Sequence, residues 1–567
     1  MPEKIWSYCD GIPDNIKIPE ISVIDLFRQT ADKYPDRNMT EFLGKFKTYT
    51  EIDEEINRFS NSLQKLGVEK GDRIACLMPN CPQYIISFFA TNSLGAIFTA
   101  ISSLYTAKEI RFQLQDSEAK VLVTLDMFLD RVREIIDETQ VEHVIVSSIA
   151  DELPGIKSFL YRKVIGRKNP KVQDELVYSD VLKKGENKRI KTEVVAKEDI
   201  AVLQYTGGTT GIMKGAMLTN YNLMAQATIL PYWDIWLPER PKGQYKISGC
   251  LPMSHIFGFS TSFLWTVATG GLLYLIPDPR QLEDVMTSIS KHGIHFMFAV
   301  PLLYQKISEH PNVGKYDLSS LYLCISGGEA LPLTTQEKFQ AASKCILVEG
   351  YGLSENAPVS HVNPANAELN NVGTIGIPIP NTLSMVVDPD TQEEITEYGK
   401  EGELWIRGPS VMKGYWNNKE ATDDTLVKGW LRTGDVVTMD EKGYFTIVDR
   451  LKDMIIVSGY KVWPNEVEDV LYAHPDINMA GVVQVKEETG EKVKAFLVVE
   501  PGSKELSFDE IKKYCKERIA PYKVPSIIEY RDELPRTTVG KVSRKELRRE
   551  IPQTSPPDIK KEEVKTK

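Results

Sequence analysis

A glycine-rich segment at residues 205–215 has the residue types of a phosphate-binding loop. It follows an apolar run at 200–204 that predicts a short buried strand, and it contains Thr206, Gly207, Gly208, Thr209, Thr210, Gly211, Lys214 and Gly215. Glycines let backbone N–H groups close around phosphate oxygens, threonine hydroxyls can donate hydrogen bonds or bind Mg²⁺, and a lysine adds positive charge. The spacing is not that of Walker A, in which four residues separate the glycines before Lys-Ser/Thr. The segment therefore predicts a phosphate-binding loop of a non-Walker type, with a flexible surface loop as the alternative.

Two later segments combine glycines with groups that suit a nucleotide. Residues 326–330 (SGGEA) follow a predicted strand and contain Gly327 and Gly328. Residues 349–355 (EGYGLSE) place an aromatic ring between glycines and end in a hydroxyl and a carboxylate. Tyr351 could stack on a base, whereas Ser354 and Glu355 could reach Mg²⁺.

Three more segments of this kind follow in the last third of the chain. Residues 429–435 end in Asp435, whose carboxylate could accept hydrogen bonds from both ribose hydroxyls, and residues 449–461 contain Arg450, Lys452 and Gly459. Residues 535–541 place Lys541 after a glycine in an exposed loop. Any one of the six segments could be a surface loop, but their presence together in this order indicates a nucleotide site.

Length, charge and cysteine content limit the class of protein. The chain has 567 residues, and single cores stop growing at about 250–300 residues, so we expect two or more domains. The formal net charge of −11 argues against nucleic acid as the main partner. The seven cysteines are scattered, odd in number and without a Cys-x-x-Cys pair, which fits a reducing compartment and no structural zinc.

The pattern of apolar residues predicts an α/β protein. Short apolar strands alternate with amphipathic helices at 74–78, 120–125, 142–147 and 294–300, which indicates parallel sheets covered by helices. From about residue 372 the pattern becomes turn-rich β, and beyond residue 450 it predicts a separate small α+β module. The tail from residue 552 is rich in proline, lysine and glutamate and should be disordered.

Two long uncharged stretches, 81–107 and 247–277, raise the question of a membrane span. Both are interrupted by polar residues, and the second contains Pro252, so buried elements of an α/β core are favoured. The first residues lack the basic and then apolar run of a signal peptide, so we expect a cytoplasmic protein. The basic region at 155–195 favours a solvated face over a membrane-surface contact, which leaves peripheral contact at most.

Taken together, the motifs resemble those of the adenylate-forming superfamily, which includes acyl-CoA synthetases, luciferases and peptide-synthetase adenylation domains. The resemblance covers residues 21–549 and is densest with medium- and long-chain fatty acyl-CoA synthetases, including at 78–84 (MPNCPQY) and 104–110 (LYTAKEI). It implies two half-reactions. A carboxylate attacks the α-phosphate of ATP to give acyl-adenylate and diphosphate, and the thiol of coenzyme A then displaces AMP. ATP, Mg²⁺, coenzyme A and a carboxylic acid are the implied ligands, and a monomer or homodimer is expected.

The resemblance also implies roles for individual residues. The nucleotide would be held by the 206–214 loop and by Gly327, Gly328, Glu349, Gly350, Tyr351 and Ser354. Mg²⁺ would lie at Thr206 and Glu355, the ribose at Asp435 and Arg450, and coenzyme A beside Gly459. Lys541 would be the catalytic lysine, with Glu355 and His255 as further catalytic groups. Residues 1–449 would form the large domain, 450–452 a hinge at Lys452, 453–550 a mobile small domain and 551–567 the tail.

The acyl pocket would be formed by His255, Val300 and Gly352. Relatives that use acetate have tryptophan at the position of Gly352, so the glycine predicts an open pocket and a medium- or long-chain acid. Two alternatives remain at this point: an acyl-AMP ligase that passes the acyl group to a carrier protein, and a fatty-acid-binding or uptake protein without catalysis. The absence of a carrier domain after residue 550 disfavours the first, and the presence of Glu355, Asp435, Arg450 and Lys541 disfavours the second.

Overall fold

The chain divides into a large unit, Met1–Thr433 with Thr438–Thr446, and a small unit, Gly434–Val437 with Ile447–Lys567. The structure is a computed structural model, and it describes residues 13, 15–164, 166, 168–206, 213–237, 239–457, 460–487, 490–536 and 542–551. The boundary between the units lies within strands Trp430–Met439 and Phe445–Arg450. The predicted α/β class, with a large N-terminal and a small C-terminal domain, is confirmed, while the domain bounds and the mobility of the small domain stay predictions.

Two large sheets form the centre of the large unit in the part of the chain that the structure describes. The first has seven strands, which in spatial order are Leu176–Val177, His143–Ser147, Val121–Leu125, Arg73–Leu77, Ile97–Ile101, Ile200–Thr206 and Lys214–Thr219. The second has nine strands, which are Ile377–Pro378, Val359–Val362, Ile346–Gly352, Leu323–Ser326, Phe296–Ala299, Lys246–Gly249, Leu272–Leu275, Asn38–Phe42 and Lys45–Thr48. Most neighbouring strands are parallel, as the strand–helix alternation predicts.

Helices cover these sheets, and most of them bury their apolar sides against them. Those of the large unit are Val23–Lys33, Tyr49–Lys65, Pro82–Ser93, Ala107–Ser117, Leu129–Arg133, Gly155–Val164, Tyr178–Lys184, Asn220–Ile229, Ile256–Gly258, Trp265–Thr269, Leu282–His292, Pro301–Ser308, Leu333–Ser343 and Lys419–Thr425. A π-helical segment, Phe259–Leu264, joins two of them. The helix Tyr49–Lys65 shows why they begin where they do, because Thr48 accepts a hydrogen bond from the backbone N–H of Glu51 and forms a capping box.

The two uncharged stretches are buried elements of this core, as the sequence predicts. The first forms helix Pro82–Ser93 and strand Ile97–Ile101, all of whose residues are buried. The second forms two strands and the helical region 256–269 between them. Within the described residues, no helix combines the length and the apolar content needed to cross a bilayer.

Mostly antiparallel strands complete the large unit and build the small one, in which only Gly490–Val499 and Ile527–Tyr530 are a parallel pair among the described strands. The turn-rich region forms a sheet in which Leu383–Val387, Gly402–Arg407, Trp430–Met439 and Leu426–Val427 lie in this order. The small unit contains the hairpin Ile455–Val457 and Tyr460–Val462, and a sheet of Ile477–Glu487, Gly490–Val499 and Ile527–Tyr530. Its helices are Pro464–Tyr472, Phe508–Lys516 and Arg544–Arg549, and the last two have Ser507 and Ser543 as their N-cap residues.

Candidate active site

The carboxyl ends of parallel strands bring the predicted glycine segments together in the large unit. Ala299, Ser326 and Glu349 are paired across three neighbouring parallel strands, so Val300, Gly327 and Gly350 follow at the same edge of the sheet. A Cβ built on Gly327 would lie 3.2 Å from the carbonyl oxygen of Gly350. This edge is where open α/β sheets bind their ligands.

Glycine suits both positions of the 327–328 pair. A Cβ on Gly327 would lie 3.0 Å from Cζ of Phe257, so a side chain there would require a small shift of the ring. Gly328 has φ = +90°, a left-handed conformation that glycine adopts without strain, and its Cβ direction points at Val300. The predicted residues Gly327, Gly328, Gly350 and Val300 therefore form one local cluster.

His255 lies at the start of a short helix, two residues before Phe257, whose ring contacts this cluster. It is the N-cap residue of Ile256–Gly258, and its Nδ1 accepts a hydrogen bond from the backbone N–H of Phe257 at 3.2 Å. A neutral imidazole that accepts at Nδ1 carries its proton at Nε2 and can donate it to an oxygen. In this tautomer, Nε2–H of His255 can donate a hydrogen bond to a carboxylate oxygen.

Glu349 orders the turn that follows the glycine pair. Its Oε2 accepts a hydrogen bond from the backbone N–H of Leu331 at 3.0 Å, and its backbone oxygen accepts from Asn363. The side chain is buried, so the contact joins two adjacent segments of the predicted nucleotide site.

Tyr351 lies against a buried histidine that the sequence reasoning missed. His361 is paired with Tyr351 on the neighbouring antiparallel strand, and the two ring centroids are 6.0 Å apart. The histidine ring lies between two hydroxyl groups, with Nδ1 2.9 Å from Ser360 Oγ and Nε2 3.0 Å from Ser384 Oγ. Burial lowers the pKa of His361 to about 3, so the ring is neutral at physiological pH. The strand Val359–Val362 is only four residues long, so its sequence gave no periodic signal from which the contact of His361 with Tyr351 could be predicted.

Gly352 is packed closely against the backbone of the segment that follows it. A Cβ on Gly352 would overlap the carbonyl oxygen of Pro358 and would lie 3.0 Å from Cα of Val359. The backbone N–H of Leu353 donates to that same oxygen at 3.1 Å. Close backbone packing therefore requires glycine at this position, which is a reason for the glycine that the sequence interpretation did not include. A role of Gly352 in chain-length choice stays a prediction.

Glu355 belongs to a second cluster, which includes a tyrosine that the sequence reasoning missed. Tyr415 Oη donates to Glu355 Oε1 at 2.7 Å, and burial together with the Glu355 carboxylate raises the pKa of Tyr415. The ammonium of Lys214 lies 5.1 Å from the centroid of the same ring. Lys214 is paired with Thr206 across two antiparallel strands. Both ends of the predicted phosphate loop therefore lie near Tyr415 and the Glu355 carboxylate.

Backbone hydrogen bonds hold this second cluster in place. The N–H of Met412 donates to the carbonyl of Glu355 at 2.8 Å, and the N–H of Trp416 donates to that of Gly215 at 2.8 Å. The segment that carries Tyr415 therefore bridges the Glu355 turn and the strand that begins at Lys214. Among the described residues, Tyr415 contacts the Glu355 carboxylate through Oε1 and so fixes its orientation.

The small unit brings together the two residues predicted to hold the ribose. Arg450 Nε lies 3.0 Å from Asp435 Oδ1, and Asp435 is buried whereas Arg450 is half exposed. Lys452 lies nearby, and burial, with the positive charge of Arg450, lowers its pKa to about 8. An ammonium that is close to losing its proton at neutral pH is typical of functional sites.

A buried ion cluster in the small unit fixes the start of its last helix. Arg544 Nη1 lies 2.9 Å from Asp449 Oδ1, and Arg544 Nε lies 3.0 Å from Glu468 Oε1. Arg548 pairs with Asp453 beside them. Arg544 thereby ties the helix Arg544–Arg549 to the residue that precedes Arg450, and the sequence reasoning did not identify this cluster.

Comparison with known proteins assigns the family. Residues 27–416 match the family described as AMP-binding enzyme, and residues 466–541 match the AMP-binding enzyme C-terminal domain. The chain belongs to the AMP-binding enzyme family. The resemblance inferred from its motifs is thus confirmed.

Full-length relatives support the same assignment. A long-chain-fatty-acid–CoA ligase of Bacillus subtilis is 37% identical over 96% of this chain and 98% of its own length. The enzyme of the same name from Escherichia coli O157:H7 is 36% identical over 97% of this chain and 98% of its own length. A solved anthranilate–CoA ligase in complex with anthranoyl-AMP has a TM-score of 0.81 at 25% identity, covering 94% of this chain and 98% of its own.

Some site residues of this AMP-binding enzyme lie outside the described residues. They are Gly207, Gly208, Thr209, Thr210 and Gly211 of the phosphate loop, Gly459, and the predicted catalytic Lys541. Their roles stay predictions, as do those of the residues that the structure places.

Proposed function

We propose that this AMP-binding enzyme is a fatty acid–CoA ligase that converts ATP, a medium- or long-chain carboxylic acid and coenzyme A into acyl-CoA, AMP and diphosphate. The carboxylate oxygen attacks the α-phosphate and releases diphosphate. The thiolate sulfur of coenzyme A then attacks the acyl carbon of the mixed anhydride, and the C–O bond to AMP breaks. The observation that carries this proposal is the match, over nearly the full length of both chains, to relatives named long-chain-fatty-acid–CoA ligase.

The cluster of Glu355, Tyr415 and Lys214 suits Mg²⁺ that is bound together with ATP. Mg²⁺ prefers oxygen ligands and usually takes one or two carboxylates together with substrate phosphates. The Glu355 carboxylate and the Thr206 hydroxyl would hold it, and Tyr415 would fix that carboxylate through Oε1. When bound, the cation neutralises charge on the phosphates and on the leaving diphosphate. Lys214 and the backbone of the 206–211 loop would bind the same phosphates.

The cluster at the carboxyl edge of the nine-stranded sheet would bind adenine and the acid. Tyr351, supported by His361, would lie against the base, with Gly327, Gly328, Glu349 and Gly350 around it. His255 would donate a hydrogen bond to the acid carboxylate, and Val300 and Gly352 would line the acyl pocket. Ser354 would reach the α-phosphate.

The small domain would serve the two half-reactions in turn. Lys541 would bridge the carboxylate and the α-phosphate during adenylation, where loss of one such charged contact typically costs about 3–4 kcal/mol. Asp435 and Arg450 would hold the ribose. A swing at Lys452, with the small domain spanning residues 453–550, would then withdraw Lys541 and present Gly459 to coenzyme A. Because ATP and coenzyme A are supplied in the cytoplasm, we place the enzyme there.

A diphosphate-release assay tests the proposal. The enzyme is given acids from acetate to palmitate, together with aromatic acids, with coenzyme A as the acceptor and an acyl carrier protein in a parallel series. We expect turnover to rise with chain length beyond acetate, because each buried methylene contributes about 0.8 kcal/mol. Equal use of acetate and octanoate, or transfer to the carrier protein but not to coenzyme A, would contradict it.

A further inference from the structure

The helix Gly155–Val164 turns its apolar side towards solvent. Ile156 is 80% exposed, Val164 66%, Phe159 57% and Leu160 54%. At 3.6 residues per turn these four side chains lie on one face. A surface helix of a globular protein normally buries that face against the core, so the arrangement here is the reverse of the usual one.

The polar side of this helix is the side attached to the protein. Ser158 Oγ donates to the carbonyl of Ala150 at 2.7 Å, and Arg162 Nη2 lies 2.6 Å from Asp151 Oδ1. Both partners belong to the short helical turn Ile149–Glu152. The helix is therefore fixed by hydrogen bonds and an ion pair, which leave its apolar face outermost.

A neighbouring turn extends the exposed apolar surface. Lys157 Nζ donates to the carbonyl of Leu43 at 2.9 Å, which places the helix beside the hairpin turn at 43–44. Leu43 has φ = +52°, an uncommon conformation for a bulky residue, and it is exposed, as is Phe46 on the strand that follows. We call these residues, with the four on the helix, the apolar face.

The sequence that carries the helix is basic, although the chain as a whole is acidic. Residues 153–173 contain six basic side chains and no acidic one, whereas the net charge of the chain is −11. The basic residues are Lys157, Arg162, Lys163, Arg167, Lys168 and Lys171. Lys163 Nζ lies 4.4 Å from the centroid of the Phe159 ring, so positive charge directly borders the apolar side chains.

We propose that the apolar face and its cations form a surface that docks reversibly on an anionic lipid bilayer. Helices that lie in a membrane interface combine Phe and Leu on one face with Lys and Arg beside them, and each cation near an anionic surface strengthens binding. A second copy of this chain fits less well, because a two-fold contact would bring both sets of cations together. The proposal does not depend on the proposed function.

Flotation of the full-length protein with lipid vesicles tests this surface. One set of vesicles mixes phosphatidylglycerol with phosphatidylcholine, and the other contains phosphatidylcholine alone. We expect binding to the anionic vesicles that high salt weakens. Two variants target the surface: Phe159→Ser with Leu160→Ser, and Lys163→Gln with Lys168→Gln and Lys171→Gln.

The apolar double variant should weaken vesicle binding at least tenfold, and the lysine variant about fivefold per charge. Two matched control variants change exposed residues elsewhere and should bind vesicles like the wild type. The control for the apolar variant is Val372→Ser with Tyr398→Ser. The control for the lysine variant is Lys400→Gln with Lys419→Gln and Lys442→Gln. If thermal unfolding shows that a surface variant is destabilised, Ile156→Ser at the most exposed of the four positions replaces it. Three outcomes would overturn the proposal: no binding to anionic vesicles, equal binding by surface and control variants, or a change of oligomeric state in the surface variants that accounts for the loss.

Discussion

The hydroxyl of Tyr415 donates to the Glu355 carboxylate at 2.7 Å, across 60 residues of sequence. The relationship matters because Glu355 is the carboxylate expected to bind Mg²⁺, and a hydrogen bond to one carboxylate oxygen fixes the direction of the other. Such supporting contacts typically change metal affinity or activity by about 10–100-fold when they are removed.

We therefore expect Tyr415→Phe to raise the Mg²⁺ concentration needed for half-maximal adenylation by about tenfold or more. The ring and its contact with Lys214 are retained, so the change isolates the hydroxyl. Diphosphate release measured as a function of Mg²⁺ checks this. The exposed Tyr398→Phe is the control and should behave like the wild type. An unchanged Mg²⁺ dependence in Tyr415→Phe would show that the hydroxyl does not position a metal-binding carboxylate.

Gly352→Ala should destabilise the large unit. The new Cβ would overlap the carbonyl of Pro358, and overpacking of this kind typically costs about 1–3 kcal/mol. Gly314→Ala is the matched control, because nothing lies within 4 Å of a Cβ there. Thermal unfolding of both variants decides the matter. Equal unfolding temperatures of the two variants would mean that the backbone at Gly352 adjusts to a side chain without loss of stability. Gly352→Trp could then be used to test directly whether this position limits the length of the acyl chain.

His361 should make stability depend on pH below neutrality. Its folded-state pKa is about 3, whereas an unfolded histidine titrates near pH 6.5, so the unfolded chain binds the extra proton between these values. Stability from the neutral ring is complete above about pH 6.5 and falls as pH decreases towards 3, by up to about 1.4 kcal/mol per pH unit.

Urea unfolding at pH 7 and pH 5 measures this contribution. Wild-type protein should lose about 2 kcal/mol more than His361→Asn over that interval, since the variant lacks the titrating ring. If His361→Asn loses as much stability as the wild type, the buried ring is not neutral in the folded protein.

Arg544→Met should destabilise the small unit strongly. Removal of one partner from a buried ion cluster typically costs about 3–5 kcal/mol, because Asp449 and Glu468 would be left buried without their cation. The exposed Arg549→Met on the same helix is the control. Hydrogen exchange of amides in the helix Arg544–Arg549 and the strand Ile477–Glu487 reports on the small unit directly. Equal exchange rates in the two variants would show that the cluster adds nothing to its stability.

Elements with strong periodicity or turn signals could be predicted from the sequence. The helix Tyr49–Lys65 has both amphipathic spacing and a capping box, and Pro464 and Ser507 mark helix starts where the structure has them. Gly327, Gly328 and Gly350 could be identified because glycines directly after predicted strands mark turns at the edge of a sheet. Helix caps, amphipathic spacing and glycine turns depend on residues that are close together in the chain, so a short stretch of sequence is enough to predict them.

Contacts between distant segments could not be predicted. Tyr415 meets Glu355, and Arg544 meets Asp449 and Glu468, only because the fold brings their strands and helices together. The exposed face of Gly155–Val164 was also missed, since its basic residues indicated a solvated region and gave no sign that Ile156 and Phe159 lie outermost. Gly352 was identified as a notable glycine, but for pocket space and not for the carbonyl of Pro358.

The most direct test of the proposed enzyme follows the two half-reactions separately in wild type and Lys541→Ala. Palmitate and ATP labelled at the α-phosphate are mixed without coenzyme A, and acyl-adenylate is measured in a quenched single turnover. Preformed palmitoyl-adenylate is then mixed with coenzyme A, and thioester is measured. The account predicts that wild type forms the adenylate and converts it to palmitoyl-CoA, whereas Lys541→Ala loses adenylation by about 10²-fold or more and keeps thioester formation near the wild-type rate. Thioester formation without a labelled adenylate, or equal losses in both steps, would contradict it.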